Sequence, residues 1–248
     1  MKWPQYDKFD LQAHTHLLAQ IGSHSHGTYI APTDGGIDDI DMMGLVIPPK
    51  EFYLGLENFE HYCIWVDEYD LVFYDVKKFF RLLLKNNPNV MGLLWLEPHL
   101  YQMKTPVTDL LVMNRDIFSS KVAHQSFTGY AYSQLKKMEN NACEGYMGDK
   151  RKKIVEKFGY DTKNAAHLIR LLRMGNEFLL DGKMNVMRKD ADELISIKKG
   201  EMPLLEIKKL AEELFAESHR NFERSPLPEK PDYERASRLL VGIIESNL

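Results

Sequence analysis

Residues 21–45, IGSHSHGTYIAPTDGGIDDIDMMGL, join a Gly22-Ser23 turn to a glycine-containing loop and then to Asp39-Ile40-Asp41 entering an apolar run. In a strand, residues two apart point to the same side. Asp39 and Asp41 therefore present two carboxylates together, while Ile40 turns to the core. Two such carboxylates repel unless a cation lies between them. Magnesium takes oxygen ligands and shares them between protein carboxylates and substrate phosphates. A pair of metals held this way activates an attacking hydroxyl and steadies the leaving oxygen of a phosphoryl transfer. Gly22 lets backbone approach a phosphate closely, and Ser23 can donate to it through its hydroxyl or N–H. Either motif alone says little. In this order, ahead of an apolar strand, they point to phosphate chemistry.

Outward from this segment, residues 9–20 (FDLQAHTHLLAQ) read as a helix or a strand leading to Gly22. Strands are expected over 40–47, which run into Pro48-Pro49, and over 61–66 and 70–74, rich in β-branched and aromatic residues. Asp75 has the position of an N-cap for the helix VKKFFRLLLKN, stopped by Asn87-Pro88, and a second helix is expected over 90–97. Beyond Pro106 the pattern is helical: 126–140, 150–158, 163–180, 187–199 and 204–218. Residues 221–232, with three prolines, read as a linker into a last helix over 233–246. The expected architecture is α+β, a small sheet followed by a mostly helical C-terminal half. The expected division is a catalytic core over 1–115 and a helical domain over 116–248 that completes the cleft.

The hydrophobic fraction of 44% and charged fraction of 27% place the chain among ordinary globular proteins rather than disordered ones. Two cysteines, Cys63 and Cys143, give no disulfide framework and fit a reducing compartment. No signal peptide and no membrane-spanning run is read, so a cytoplasmic protein with no membrane partner is expected. Charge is unevenly spread. Residues 1–120 carry 9 Lys and Arg against 16 Asp and Glu, whereas residues 121–180 carry 11 against 6. An acidic half followed by a basic stretch suits a site where carboxylates hold metal and cations face phosphate.

Gly22-Ser23 followed by Asp39-Ile40-Asp41 resembles the signature of the DNA polymerase beta-like nucleotidyltransferases. Within them it is similar to the bacterial and phage predicted-nucleotidyltransferase group, in which GS, a glycine loop and DxD-x-x-G recur. Tyr53-Leu54-Gly55-Leu56, Tyr74-Asp75-Val76 with Lys78-Phe79, Asn87-Pro88, and Gly159-Tyr160-Asp161 leading to Ala166-His167-Leu168-Ile169-Arg170-Leu171 extend the likeness over about residues 20–200. The last 48 residues add nothing to it. The resemblance implies a small mixed sheet flanked by helices and a third metal-binding acid on a neighbouring strand. That role falls to Asp70, with Asp75 as the competitor already suited to a capping role. It also implies magnesium, with manganese as a substitute, and a nucleoside triphosphate (NTP) as donor. The acceptor stays open: an RNA end, a protein side chain or a small molecule. Two features depart from the family pattern. The loop between Ser23 and Asp39 holds 15 residues, longer than is usual. Position 92 is glycine where relatives of the Asn-Pro segment carry glutamate.

On the expected helix over 163–180, Lys163, His167 and Arg170 share one face, opposite Ala165, Leu168, Ile169, Leu172 and Leu179. This stripe reads either as nucleotide-binding or as the solvent side of an amphipathic helix. Residues 150–153 (KRKK) read as a solvated charge run. Asp38 should face away from the Asp39/Asp41 pair, as a solvated or N–H-bonded neighbour. Trp65 and Trp95 are expected in the core. The expected mechanism has Asp39 and Asp41 binding both metals, Asp70 holding the catalytic one, and Gly22-Ser23 gripping the β- and γ-phosphates. Two rivals remain: a catalytically silent nucleotide- or RNA-binding module, and a zinc-dependent hydrolase using His14, His16, His24 and His26.

Overall fold

A computed structural model describes residues 2–31, 33, 38–139 and 149–248. The loop glycines at 35 and 36, Cys143 and the side chain of Lys150 lie outside the described residues.

The segment 9–20 resolves into turns followed by strand β1, Thr15–Gln20. Its end passes directly into a one-turn helix α1, Gly22–Ser25. Strand β2, Ile40–Val46, pairs antiparallel with β1. A short helix α2, Glu51–Leu54, precedes β3, His61–Val66, which folds back on β4, Tyr69–Asp75. The β3–β4 hairpin closes through Asp67 and Glu68, with Asp67 at φ +54°, a left-handed conformation that Asp tolerates. Because β4 returns beside β2 in parallel, the sheet is mixed. A fifth strand, β5 at Tyr101–Lys104, pairs antiparallel with the outer side of β1, giving the order β3-β4-β2-β1-β5.

Asp75 caps helix α3, Val76–Leu84, accepting from the N–H groups of Lys77 and Lys78. Asn87 caps α4, Pro88–Gly92, with Pro88 in the first turn. The helix expected over 90–97 is this shorter one plus a 3₁₀ turn, Leu93–Trp95. It stops because Glu97 precedes Pro98 and takes extended backbone. Pro106 opens α5, Pro106–Met113, behind a Thr105–Thr108 capping box. Then follow α6, Val122–Glu139; α7, Asp149–Phe158; α8, Thr162–Asp181; α9, Ala191–Lys198; α10, Leu204–Arg224; and α11, Tyr233–Glu245. Helix α10 runs six residues past the expected end at 218. Asn221 is fully buried and accepts from Arg224, so the polar sequence there is inward-facing helix rather than linker. Helix α9 starts at 191 rather than 187, because Arg188 is spent on Glu177 and Asp190 ahead of it.

The sheet divides two cores. On one face Leu17, Ala19, Met43 and Leu45 pack with Phe79, Phe118, Phe127, Leu168 and Phe178 in a single buried cluster that crosses residue 115 and reaches Ile243. On the other face Leu18, Met42, Val46, Leu71 and Phe73 are covered by α2 and the N-terminal segment through Trp3, Tyr6, Phe9 and Phe52. Trp95 packs edge-on against Phe178, as expected of a core ring. Trp65 does not: it is 57% exposed. It sits on the edge strand β3, where the helical layer does not reach. Among the described residues no helix is long and apolar enough to cross a membrane.

Candidate active site

The parallel register of β2 and β4 sets Asp41 directly beside Asp70. Both lie near the N-terminal ends of their strands, on the face that packs against the helices, and Asp39 shares that side two residues before Asp41. Strand β1 runs the other way, so its C-terminal end delivers Ile21, Gly22 and Ser23 to the same edge. The N–H of Ile21 donates to the carbonyl of Asp41 at 2.9 Å. Gly22 stands at φ +63°, and a Cβ placed on it would collide with Asp41 Oδ2. The glycine is thus required by its backbone angle and by the carboxylate lying against it. Its missing side chain makes room for the Asp41 carboxylate.

Burial pushes the Asp41 carboxyl up to about 6, and the neighbouring charges of Asp70, Asp39 and Asp38 add to this, with Lys163 opposing. Asp70 is also raised, by burial and then by Asp39. Asp38 behaves oppositely. Burial alone would raise it, but Lys198, the N–H of Ile30 and Lys163 together hold it below the usual carboxylate range. Its Oδ2 accepts from Lys198 Nζ at 2.7 Å and from Ile30 N at 2.9 Å, and Lys163 Nζ lies 3.3 Å from Oδ1. Asp38 is therefore an N–H-bonded neighbour as expected, but a buried and ion-paired one rather than a solvated one.

Opposite the carboxylates stands helix α8, and between them opens a pocket of about 400 Å³. Asp39, Asp41, Asp70, Gly22, Ser23, Lys163, His167 and Arg170 all line it. The basic stripe thus faces the pocket, not solvent. Arg170 is only 8% exposed, and the hydrogen bond described for its guanidinium goes to the Met174 sulfur at 3.1 Å. Burial, reinforced by Arg188, lowers it to about 10. His167 Nε2 is buried without a hydrogen-bond partner among the described residues. Burial and then Arg170 hold its ring well below the usual histidine range, that is, neutral. A buried cation with a thioether for a partner, beside a neutral imidazole, is a wall poised for an anion.

Three pocket residues went unread in the sequence. Lys198 reaches from α9 to Asp38 and to the carbonyl of Thr28 at 2.7 Å. Asn164 joins it from α8. Arg151, inside the supposed solvated run 150–153, lines the pocket and donates to Asp161 and Asn164, whereas Lys152 and Lys153 are exposed. Only Asp161-x-x-Asn164, a cap and its helix, offered a local signal for the Arg151 contact.

The four histidines do not converge. His14 meets the carbonyl of Ile47, His16 the hydroxyl of Thr105, and His26 the carbonyl of Val186, while His24 stacks on Tyr29 at 3.8 Å. Among the described residues no three His, Cys, Asp or Glu side chains form a ready-made metal cluster. Held on four different partners, these histidines do not form the shared donor set that the zinc-hydrolase reading needs. Asp39, Asp41 and Asp70 offer the oxygen-only donor set that a hard divalent cation takes. Burial raises Asp41 and the neighbouring acids add to this; a cation would relieve both, so in charge and donor type, though not as a preassembled cluster, the residues fit one. Asp75, the other acid considered, is committed to the α3 cap and to the Tyr53 hydroxyl at 3.0 Å.

The sequence profile of the RNA repair pathway DNA polymerase beta family matches residues 8–242. No curated protein matches. A nucleotidyltransferase-like protein of known structure from Exiguobacterium sibiricum aligns over 94% of this chain and 70% of its own, with 11% identity and a TM-score of 0.28.

Proposed function

The chain belongs to the RNA repair pathway DNA polymerase beta family, and from that premise and the pocket we propose that it transfers a nucleoside monophosphate from an NTP to an acceptor hydroxyl. The observation that carries the reading is the register pairing of Asp41 with Asp70, opposite a buried Arg170 whose guanidinium donates to the Met174 sulfur. Anionic and cationic walls face one another across a cavity large enough for a nucleotide.

Asp39, Asp41 and Asp70 are the residues that would hold divalent metal, magnesium or manganese in its place. Such an ion, when bound, supplies Lewis acidity toward the phosphate oxygens and neutralises developing charge. The chain's own groups do the rest. Ser23 donates to the terminal phosphates from the turn after β1. Lys163 and Arg170 meet the triphosphate from α8, and His167 adds a neutral imidazole beside them. Asp70 takes the proton of the acceptor hydroxyl, whose oxygen bonds to the α-phosphorus. The bond from that phosphorus to the bridging oxygen breaks, and pyrophosphate leaves.

The test is pyrophosphate release from each NTP with magnesium or manganese, with and without cellular RNA. Asp39→Ala and Asp41→Ala should each lower it by roughly 100-fold or more. Retained turnover in both would sink the scheme, and NTP binding without release under every condition would leave a silent binding module.

A further inference from the structure

We propose that the acceptor is an unpaired nucleic-acid strand that enters over the open helix-side face of β3, its bases stacking on Trp65 and Tyr130. This rests on the transferase reading above. Trp65 is the register partner of Asp70, Cys63 of Val72 and His61 of Tyr74. Residues directly opposed in a sheet lie on the same side, so Trp65, Cys63 and His61 continue the face that carries Asp41 and Asp70. Over the central strands that face is buried under helices. On β3 it is bare: all three side chains are exposed. A broad indole left in water at the rim of a phosphate-transfer pocket is a surface for binding rather than for folding.

Helix α6 supplies the other side of this ledge. Tyr130, 37% exposed, and Lys137, seven residues on, share one side of the helix. The Tyr130 ring meets His167 of the pocket edge-on at 5.6 Å. It also lies close enough to Tyr74 to help raise that phenol, after burial and Cys63. Tyr130 thus connects pocket and ledge. From Asp70 to Tyr74 the strand covers roughly 13 Å, the rise of about four stacked bases. Two exposed aromatic rings, with Lys137 close enough to His167 to act on it from the Tyr130 side of α6, suit a strand that offers base faces and phosphates together. A duplex hides those faces.

The experiment is fluorescence anisotropy of a short labelled unpaired RNA, the same sequence as DNA, and a blunt hairpin, each titrated with the full chain in magnesium. The unpaired strands should bind more tightly than the hairpin. Trp65→Ala should weaken them roughly five-fold or more, with Trp65→Phe retaining most of the affinity and NTP binding the same in all three proteins. RNA binding above DNA supports the ledge with the ribose hydroxyl read; equal binding supports it on bases and phosphates alone. Equal binding of hairpin and unpaired strand, or no effect of Trp65→Ala, overturns it. Should the protein bind no NTP yet hold the strand through Trp65, the transferase reading fails and the ledge stands. NTP turnover without strand binding overturns the ledge alone.

Discussion

At Gly22 the backbone angle and the absent side chain together let Asp41 lie against the chain, half-buried and beside two other acids. That placement has a cost that pH reveals. The folded value of Asp41, about 6, is above its unfolded one, so burial of this group is tolerated below the unfolded value and opposes folding as pH rises through 6. In the presence of a chelator, Asp41→Asn should be more stable than the natural protein at pH 7.5, by up to about 3 kcal/mol. The difference should vanish near pH 4. Denaturant titrations of the two proteins at both values check it. A constant difference across pH would show that the carboxylate is not the strained group. Asp39, Asp41, Gly22 and Ser23 were legible because their logic is local, two residues apart on a strand or adjacent in a turn. The ion pair of Asp38 with Lys198 spans 160 residues and has no local signature.

Elements were read where sequence periodicity and tertiary demand coincide. Strands β2, β3 and β4 and helices α3, α8 and α11 lie close to where apolar alternation or spacing puts them. Strand β5 is four residues long, with Tyr101 and Met103 half-buried between exposed neighbours, and is a strand only because β1 offers it an edge. Helix α5 was hidden by its short length. The assignment of Asp75 to the α3 cap makes a prediction at this scale. Asp75→Ala loses two backbone hydrogen bonds and the Tyr53 contact and should destabilise by about 2 kcal/mol. Pyrophosphate release per folded molecule should be unchanged, whereas Asp70→Asn should not lower stability and should remove turnover. The reverse pattern would exchange the roles of the two acids.

Across the whole molecule, the acids of the pocket come from the first 70 residues and its cations from residues 151–198, with Pro88, Asn89, Gly92 and Leu96 also lining it. Lys198 is the tie between them, gripping Asp38 and Thr28 from α9. Lys198→Ala leaves a buried carboxylate with fewer partners and should cost roughly 3 kcal/mol. Asp38 is held below its unfolded value, so its contribution is present above that value and lost on acidification. The gap between natural and variant proteins should therefore narrow as pH falls below the ordinary aspartate range, as thermal melts across pH would register. The same division of walls orders events on the ribosome. A nascent chain of 70 to 148 residues already carries all three acids and none of the cations α7, α8 and α9 bring to the pocket. At about 5–20 residues per second, several seconds separate the first wall from the second. On the proposed function, affinity for nucleotide should therefore arise only after the chain through residue 198 has emerged, and it times the folding of the second wall.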